Sequence, residues 1–238
     1  MNKKLEPPDK TIGDRVHTVA RTIISSVPEY GGAAAEIFNM IIAPPLEKRR
    51  DEWMREISDV LQDLEKNVSG FTVEALSTND AFIDLILQAT QSALRTSSKE
   101  KRRALRNAVL NASLSSNPDI MLQQIFVNFL DSLTERHIQV LAMLAAPADW
   151  FRTTSKDWPG ISQPGMSSVE AAALEWISGG FDDLKTSPEL AKLLLKDLEN
   201  HGLVKLERFQ LVWGNDPRKG CATELGKSFL GFIREPGN

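Results

Sequence analysis

The last hundred residues present patterns in a fixed order: three helices, two short strands around a turn, then a closing helix. The first helix is Leu133-Thr134-Glu135-Arg136-His137-Ile138-Gln139-Val140-Leu141-Ala142-Met143-Leu144, capped and amphipathic. A second runs from about Ser168 to Ile177. A third, from Ser187 through Pro188 to His201, stops at Gly202. Strand-like residues Leu203 to Trp213 follow, then the turn Gly214-Asn215-Asp216-Pro217 and a helix from Thr223. A lone two-stranded ribbon is marginal in water. This order is expected to set the fold of nearly half of the chain.

The first 130 residues read as helical throughout. Thr11 to about Val27 forms a helix, and Pro28-Glu29-Tyr30-Gly31-Gly32 ends it. Ala33 to Ala43 reads as a short apolar helix that Pro44-Pro45 terminates. The next, Leu46 to about Val68, places Leu46, Trp53, Ile57, Val60, Leu61, Leu64 and Val68 on one face. Asn79 caps a helix to about Leu94, and Ser97 or Ser98 caps another through Leu114. Asn117-Pro118 opens a sixth. Residues 146–165 hold Trp150, Phe151, Trp158 and three prolines, which read as an ordered loop insertion. The expected division is 1–130, a helical region, and 131–238, the patterned domain.

Charge narrows the partners. The net charge is −4, and neither part is basic: 16 basic and 17 acidic residues precede 131, with 12 and 15 after. That argues against strong non-specific binding to nucleic acid, which depends on neutralising many phosphates. The single cysteine, Cys221, excludes an internal disulfide and fits a cytoplasmic setting. The N-terminus has no apolar core after its lysines, so a secretory signal is not expected.

The order of the C-terminal elements is that of a winged helix-turn-helix. Leu198, Gly202, Leu203, Asp216, Pro217, Arg218, Lys219, Thr223 and Gly226 occupy positions that make residues 133–234 resemble the winged helix of MarR-type bacterial regulators. The resemblance implies a recognition helix at 187–201 and a wing tip at 214–219. The expected fold is thus mainly α, with an N-terminal multi-helix region packed on a winged helix that carries a small β-hairpin.

The recognition helix weighs against reading DNA. With Leu190, Leu194, Leu198 and His201 facing the core, Glu189, Lys192, Lys196, Glu199 and Asn200 lie outside. These charges sum to zero, and no arginine is present to read bases. A DNA-binding alternative would use Lys192, Lys196, Arg218 and Lys219. The densest basic run lies elsewhere: Lys99 to Arg106 nets +4, and Lys99, Arg102, Arg103 and Arg106 fall within about 100° on a helix. Cations at a helix N-terminus oppose its dipole. They invite either an anionic partner or acids from neighbouring helices.

Residues 22–46 carry only Glu29 and Glu36, and Lys48-Arg49-Arg50 follow. Burial in the helical core is the simpler reading; insertion into a membrane or partner is the alternative. Catalytic signals are absent: His17, His137 and His201 are scattered, no Cys/His spacing suits a metal, and no glycine loop precedes a Lys-Ser/Thr pair. Gly31-Gly32 and Gly179-Gly180 read as turns, and Asp182-Asp183 as loop. No cofactor and no small-molecule site are expected.

Val27-Pro28, Gly31-Gly32-Ala33, Ile37-Phe38 and Pro45 to Trp53 resemble a segment of uncharacterised bacterial helical proteins, some similar to abortive-infection proteins of the Abi-alpha type. That resemblance implies a role in phage defence. The expected function is a non-enzymatic bacterial interaction or regulatory protein, with a protein partner or homodimer. The alternatives are a DNA-binding regulator and a membrane-acting effector.

Overall fold

The computed structural model describes residues 32–114, 119–157, 159, 169–206 and 220–236. Contacts divide the chain into Met1–Arg49 and Arg50–Asn238. Helices from both sides of residue 130 lie in the second unit.

Helix α1, Gly32–Asn67, continues through Pro44 and Pro45 instead of ending at them. The two missing N–H groups would have bonded the carbonyls of Met40 and Ile41. Both residues are exposed, so water can serve those carbonyls. The second unit begins inside α1, where Trp53, Ile57 and Leu61 are buried at four-residue spacing. Trp53 Nε1 donates to Thr90 Oγ1 at 2.9 Å, which ties α1 to the next long helix.

After the short α2 (Val73–Leu76), three helices pack on one another: α3 (Asp80–Arg95), α4 (Lys99–Ser113) and α5 (Ile120–Ser132). Asn79 and Ser98 cap the first two through their side-chain oxygens. Asp119 caps α5, accepting from Leu122 N at 2.9 Å; the Asn117-Pro118 start expected from sequence lies outside the described residues. Gln88 bonds Asn128 across α3 and α5.

The chain continues with α6 (Glu135–Ala145) and α7 (Pro147–Thr153). The second corrects the loop reading of 146–165 in part. Pro147 at the first position fixes a helical φ and has no N–H to leave unsatisfied, so it starts a helix. Next come α8 (Val169–Gly180), α9 (Asp182–Lys185), α10 (Pro188–Asn200) and α11 (Glu224–Phe232). Gly179 and Gly180 are the last residues of α8, not a turn. A Cβ on Gly180 would stand 3.3 Å from the Trp150 ring, and one on Gly179 2.9 Å from Pro159, so these glycines permit close packing. Asp182 and Asp183, expected in a loop, form the first turn of α9, where their charge suits the dipole.

No strand occurs among the described residues. A single antiparallel bridge joins Val204 to Ala222, with Lys205 N donating to Cys221 O at 3.0 Å. Residues 207–219, which include the expected wing turn, Arg218 and Lys219, lie outside the described residues. Cys221 N donates to Leu144 O at 2.8 Å, seating this bridge on the end of α6. Gly220 sits at φ +70°, and a Cβ there would overlap the Leu144 carbonyl oxygen.

The C-terminal helix is held by two asparagines one turn apart on α4. Asn107 Nδ2 donates to Ile233 O at 3.0 Å, and Asn111 Nδ2 to Phe232 O and Arg234 O at 2.8 Å each. Beside them Phe126 and Phe129 of α5 meet Phe229 of α11 at 5.7 Å, and Phe126 meets Phe232 at 5.4 Å.

Gly220→Ala combines a left-handed φ with a backbone overlap, so it is expected to cost about 3 kcal/mol or more. Urea unfolding measures this; a loss within about 0.5 kcal/mol, the range of an ordinary surface substitution, would contradict it.

Candidate functional site

The outer face of α10 is built by a buried strip on its other side. Ala191, Leu194, Leu195 and Leu198 are buried. This corrects the expected inward face: Leu190 is 45% exposed, and Leu193 is 56% exposed. Leu194 and Leu198 are buried as expected, and Ala191 and Leu195 complete the buried strip in place of Leu190. Lys192 and Lys196 are exposed, as expected from sequence. Each pairs within the helix, Lys192 with Glu189 at 3.4 Å and Lys196 with Glu199 at 2.9 Å. The result is a charge-balanced face with two leucines beside it.

The basic run on α4 does not form one patch. Arg102 donates to Glu52 of α1 at 2.8 Å, with its side chain only 14% exposed. Arg106 pairs with Glu235 at 3.5 Å and bonds Asn107 Oδ1. Lys101, which carried no expected role, donates to the carbonyls of Asp131 and Leu133 at 2.9 and 3.0 Å. It thereby satisfies orphan carbonyls at the end of α5. Burial lowers its pKa, and the neighbouring Asp131 opposes that shift. Asp131 in turn accepts from Ser92 and Arg95 at 2.6 Å each, and those bonds lower its carboxyl. Of the four cations expected to gather, Lys99 and Arg103 stay exposed while Arg102 and Arg106 join the packing.

A cleft of about 480 Å³ opens between α6, α7 and α9. Its floor is aromatic: Trp150 and Phe181 lie 5.0 Å apart, and the Arg136 guanidinium sits 4.9 Å over the Phe181 ring. Its rim is two ion pairs, Arg136–Asp183 at 2.9 Å and Lys156–Asp182 at 3.1 Å. The aromatics of 146–165 were visible in the sequence. Their meeting with Phe181 and Arg136 was not, because it depends on how α7 and α9 dock. The rim charges cancel, and the lining holds no paired nucleophile and base.

Among the described residues one histidine, His137, is buried, and it works structurally. His137 Nδ1 accepts from Thr134 N at 3.1 Å in a capping box at the start of α6, and Nε2 lies 3.3 Å from Asp197 Oδ2 on α10. Those roles require the neutral ring with its proton on Nε2. Burial lowers its pKa below 6.5; the bond and charge of Asp197 oppose this, and Lys101 and His201 add to the lowering. Burial likewise pushes the Cys221 thiol up to about 12, which removes it from thiolate chemistry. Among the described residues no group of three or more His, Cys, Asp or Glu is placed to hold a metal. No helix among them is long and apolar enough to cross a membrane.

No family model, curated protein or solved structure matches the chain.

His137 gives a pH prediction. The folded state binds its proton less readily than the unfolded chain, so its contribution is complete above pH 6.5 and falls as pH drops through the folded pKa. Stability is expected to decline below pH 6.5. His137→Gln keeps an acceptor for Thr134 N but cannot titrate, so its stability should fall less over pH 6.5 to 5. Parallel curves for the two proteins would remove His137 as the cause.

Proposed function

We propose that the chain is a non-enzymatic bacterial interaction or regulatory protein whose C-terminal region is a winged helix used for protein contacts. The order α6, α8, α10, α11 supports the winged-helix reading, as does the Val204–Ala222 bridge at the base of the expected wing. The observation that carries the functional reading is the outer face of α10. Its lysines are matched by Glu189 and Glu199, while Leu190 and Leu193 are exposed beside them.

Such intrahelical pairs are worth only about 0.3–0.5 kcal/mol each, so they would not by themselves keep Lys192 or Lys196 from a phosphate. The sum matters more. Bringing this face to a duplex brings two carboxylates with two ammoniums, leaving no net counterion release from it to drive binding. Exposed leucines gain nothing from phosphates but do gain from an apolar partner surface.

The test combines two readouts. Anisotropy of labelled duplex DNA is expected to show no tight, salt-sensitive binding, and a photo-crosslinker at Leu193 is expected to capture a protein in cells of the source bacterium. Duplex binding that weakens steeply with salt and is lost in Lys192→Glu/Lys196→Glu would replace this reading with the DNA-binding one.

A further inference from the structure

The cleft between α6, α7 and α9 is graded from floor to mouth. Phe181 is buried beneath it, and the Trp150 ring, half-buried, lies 5.0 Å away. Cations come next. Arg136 and Lys156 are 36% and 30% exposed, whereas their partners Asp183 and Asp182 are 56% and 90% exposed. In both pairs the cation is the more enclosed member and the carboxylate the more open one.

Arg136 is also held in place. Its guanidinium lies 4.9 Å over the Phe181 ring and donates to Gln139 Oε1 at 2.6 Å and to Asp183 Oδ2 at 2.9 Å. Among the described residues Arg136 thus spends two of its five N–H groups, and Lys156 spends one of three on Asp182. Exposed ion pairs of this kind are weakly held, so a ligand can take over one partner of each at small cost.

These features select a ligand class. A polyanion would meet Asp182 and Asp183 at the mouth, and a simple cation would meet Arg136 and Lys156 within. The four charges cancel, so a neutral molecule carrying both signs fits best. Cation and acid stand a hydrogen bond apart, at 2.9 and 3.1 Å, so the ligand charges must be adjacent too. A carboxylate and an ammonium on one carbon meet that condition. A ring beside them would lie against Trp150, where tilted aromatic contacts add to apolar burial. The volume, about 480 Å³, lies in the range of small-molecule sites, roughly 300–1,000 Å³. We propose that the cleft binds an aromatic α-amino acid, its carboxylate on Arg136 and Lys156, its ammonium on Asp182 and its ring on Trp150. This goes beyond the protein-contact role of α10, stands on different residues, and neither reading depends on the other.

Equilibrium dialysis of the full chain with labelled L-phenylalanine tests it, with 3-phenylpropionate, phenethylamine and L-alanine as competitors. Saturable binding is expected, with a Kd of about 1 mM or tighter. Each competitor lacks one charge or the ring and should bind roughly tenfold weaker or more. Lys156→Met should shrink the advantage of phenylalanine over phenethylamine, and Asp182→Asn its advantage over phenylpropionate. Both variants should unfold at the parent's temperature, because each alters only a weakly held ion pair. No saturable binding of phenylalanine up to about 10 mM overturns the proposal. So does either singly charged competitor binding as tightly as phenylalanine. Advantages that both variants leave unchanged overturn it as well, since the binding would then lie elsewhere on the chain.

Discussion

A helix that ends inside a packed protein leaves carbonyl groups that must find donors. At the end of α11 those donors are the amides of Asn107 and Asn111, both from α4. Removing Asn107 would leave the Ile233 carbonyl without its donor in a buried setting, at a cost of about 1–3 kcal/mol, whereas the Asn111 bonds lie nearer the surface. The same contact brings Phe229 and Phe232 onto Phe126 and Phe129, so apolar packing and hydrogen bonding specify one arrangement. A second tie, Cys221 N to Leu144 O, holds the segment before α11 to the end of α6. A third, His137 between Thr134 and Asp197, fixes α6 against α10. Each tie joins elements far apart in sequence within the unit Arg50–Asn238.

What the sequence could reveal follows from the range of each interaction. Helix starts at Asn79, Ser98, Thr134 and Thr223 were legible because a cap acts within three residues of itself. The buried face of α1 was legible from periodicity, with Trp53, Ile57 and Leu61 buried at four-residue spacing. The errors share a cause: each depended on a contact made at a distance. Pro44-Pro45 reads as a stop unless the neighbouring carbonyls are known to face water. Gly179-Gly180 reads as a turn unless Trp150 and Pro159 are known to press against it. Leu190 reads as core unless Ala191 is known to take the packing position.

The basic run on α4 teaches the same lesson about sites. Its composition announced a patch, yet Arg102 is taken by Glu52, Arg106 by Glu235, and Lys101 by the carbonyls ending α5. Cations that oppose their own helix dipole are here reconciled by acids and carbonyls from other helices. Besides the exposed Lys99 and Arg103, the surface offers a charge-balanced face with two leucines on α10 and a cleft whose rim charges cancel. Such surfaces favour apolar and shape-dependent contact over long-range attraction of polyanions.

Native-state hydrogen exchange of the full chain tests the central claim, that α4 and α11 are locked into one folding unit by the asparagine clip and its aromatic neighbours. The amides of α11 should exchange through the same global opening as those of α4, with matching free energies and matching denaturant dependence. Exchange of α11 through a separate, lower-energy opening while α4 and α5 stay protected would contradict it.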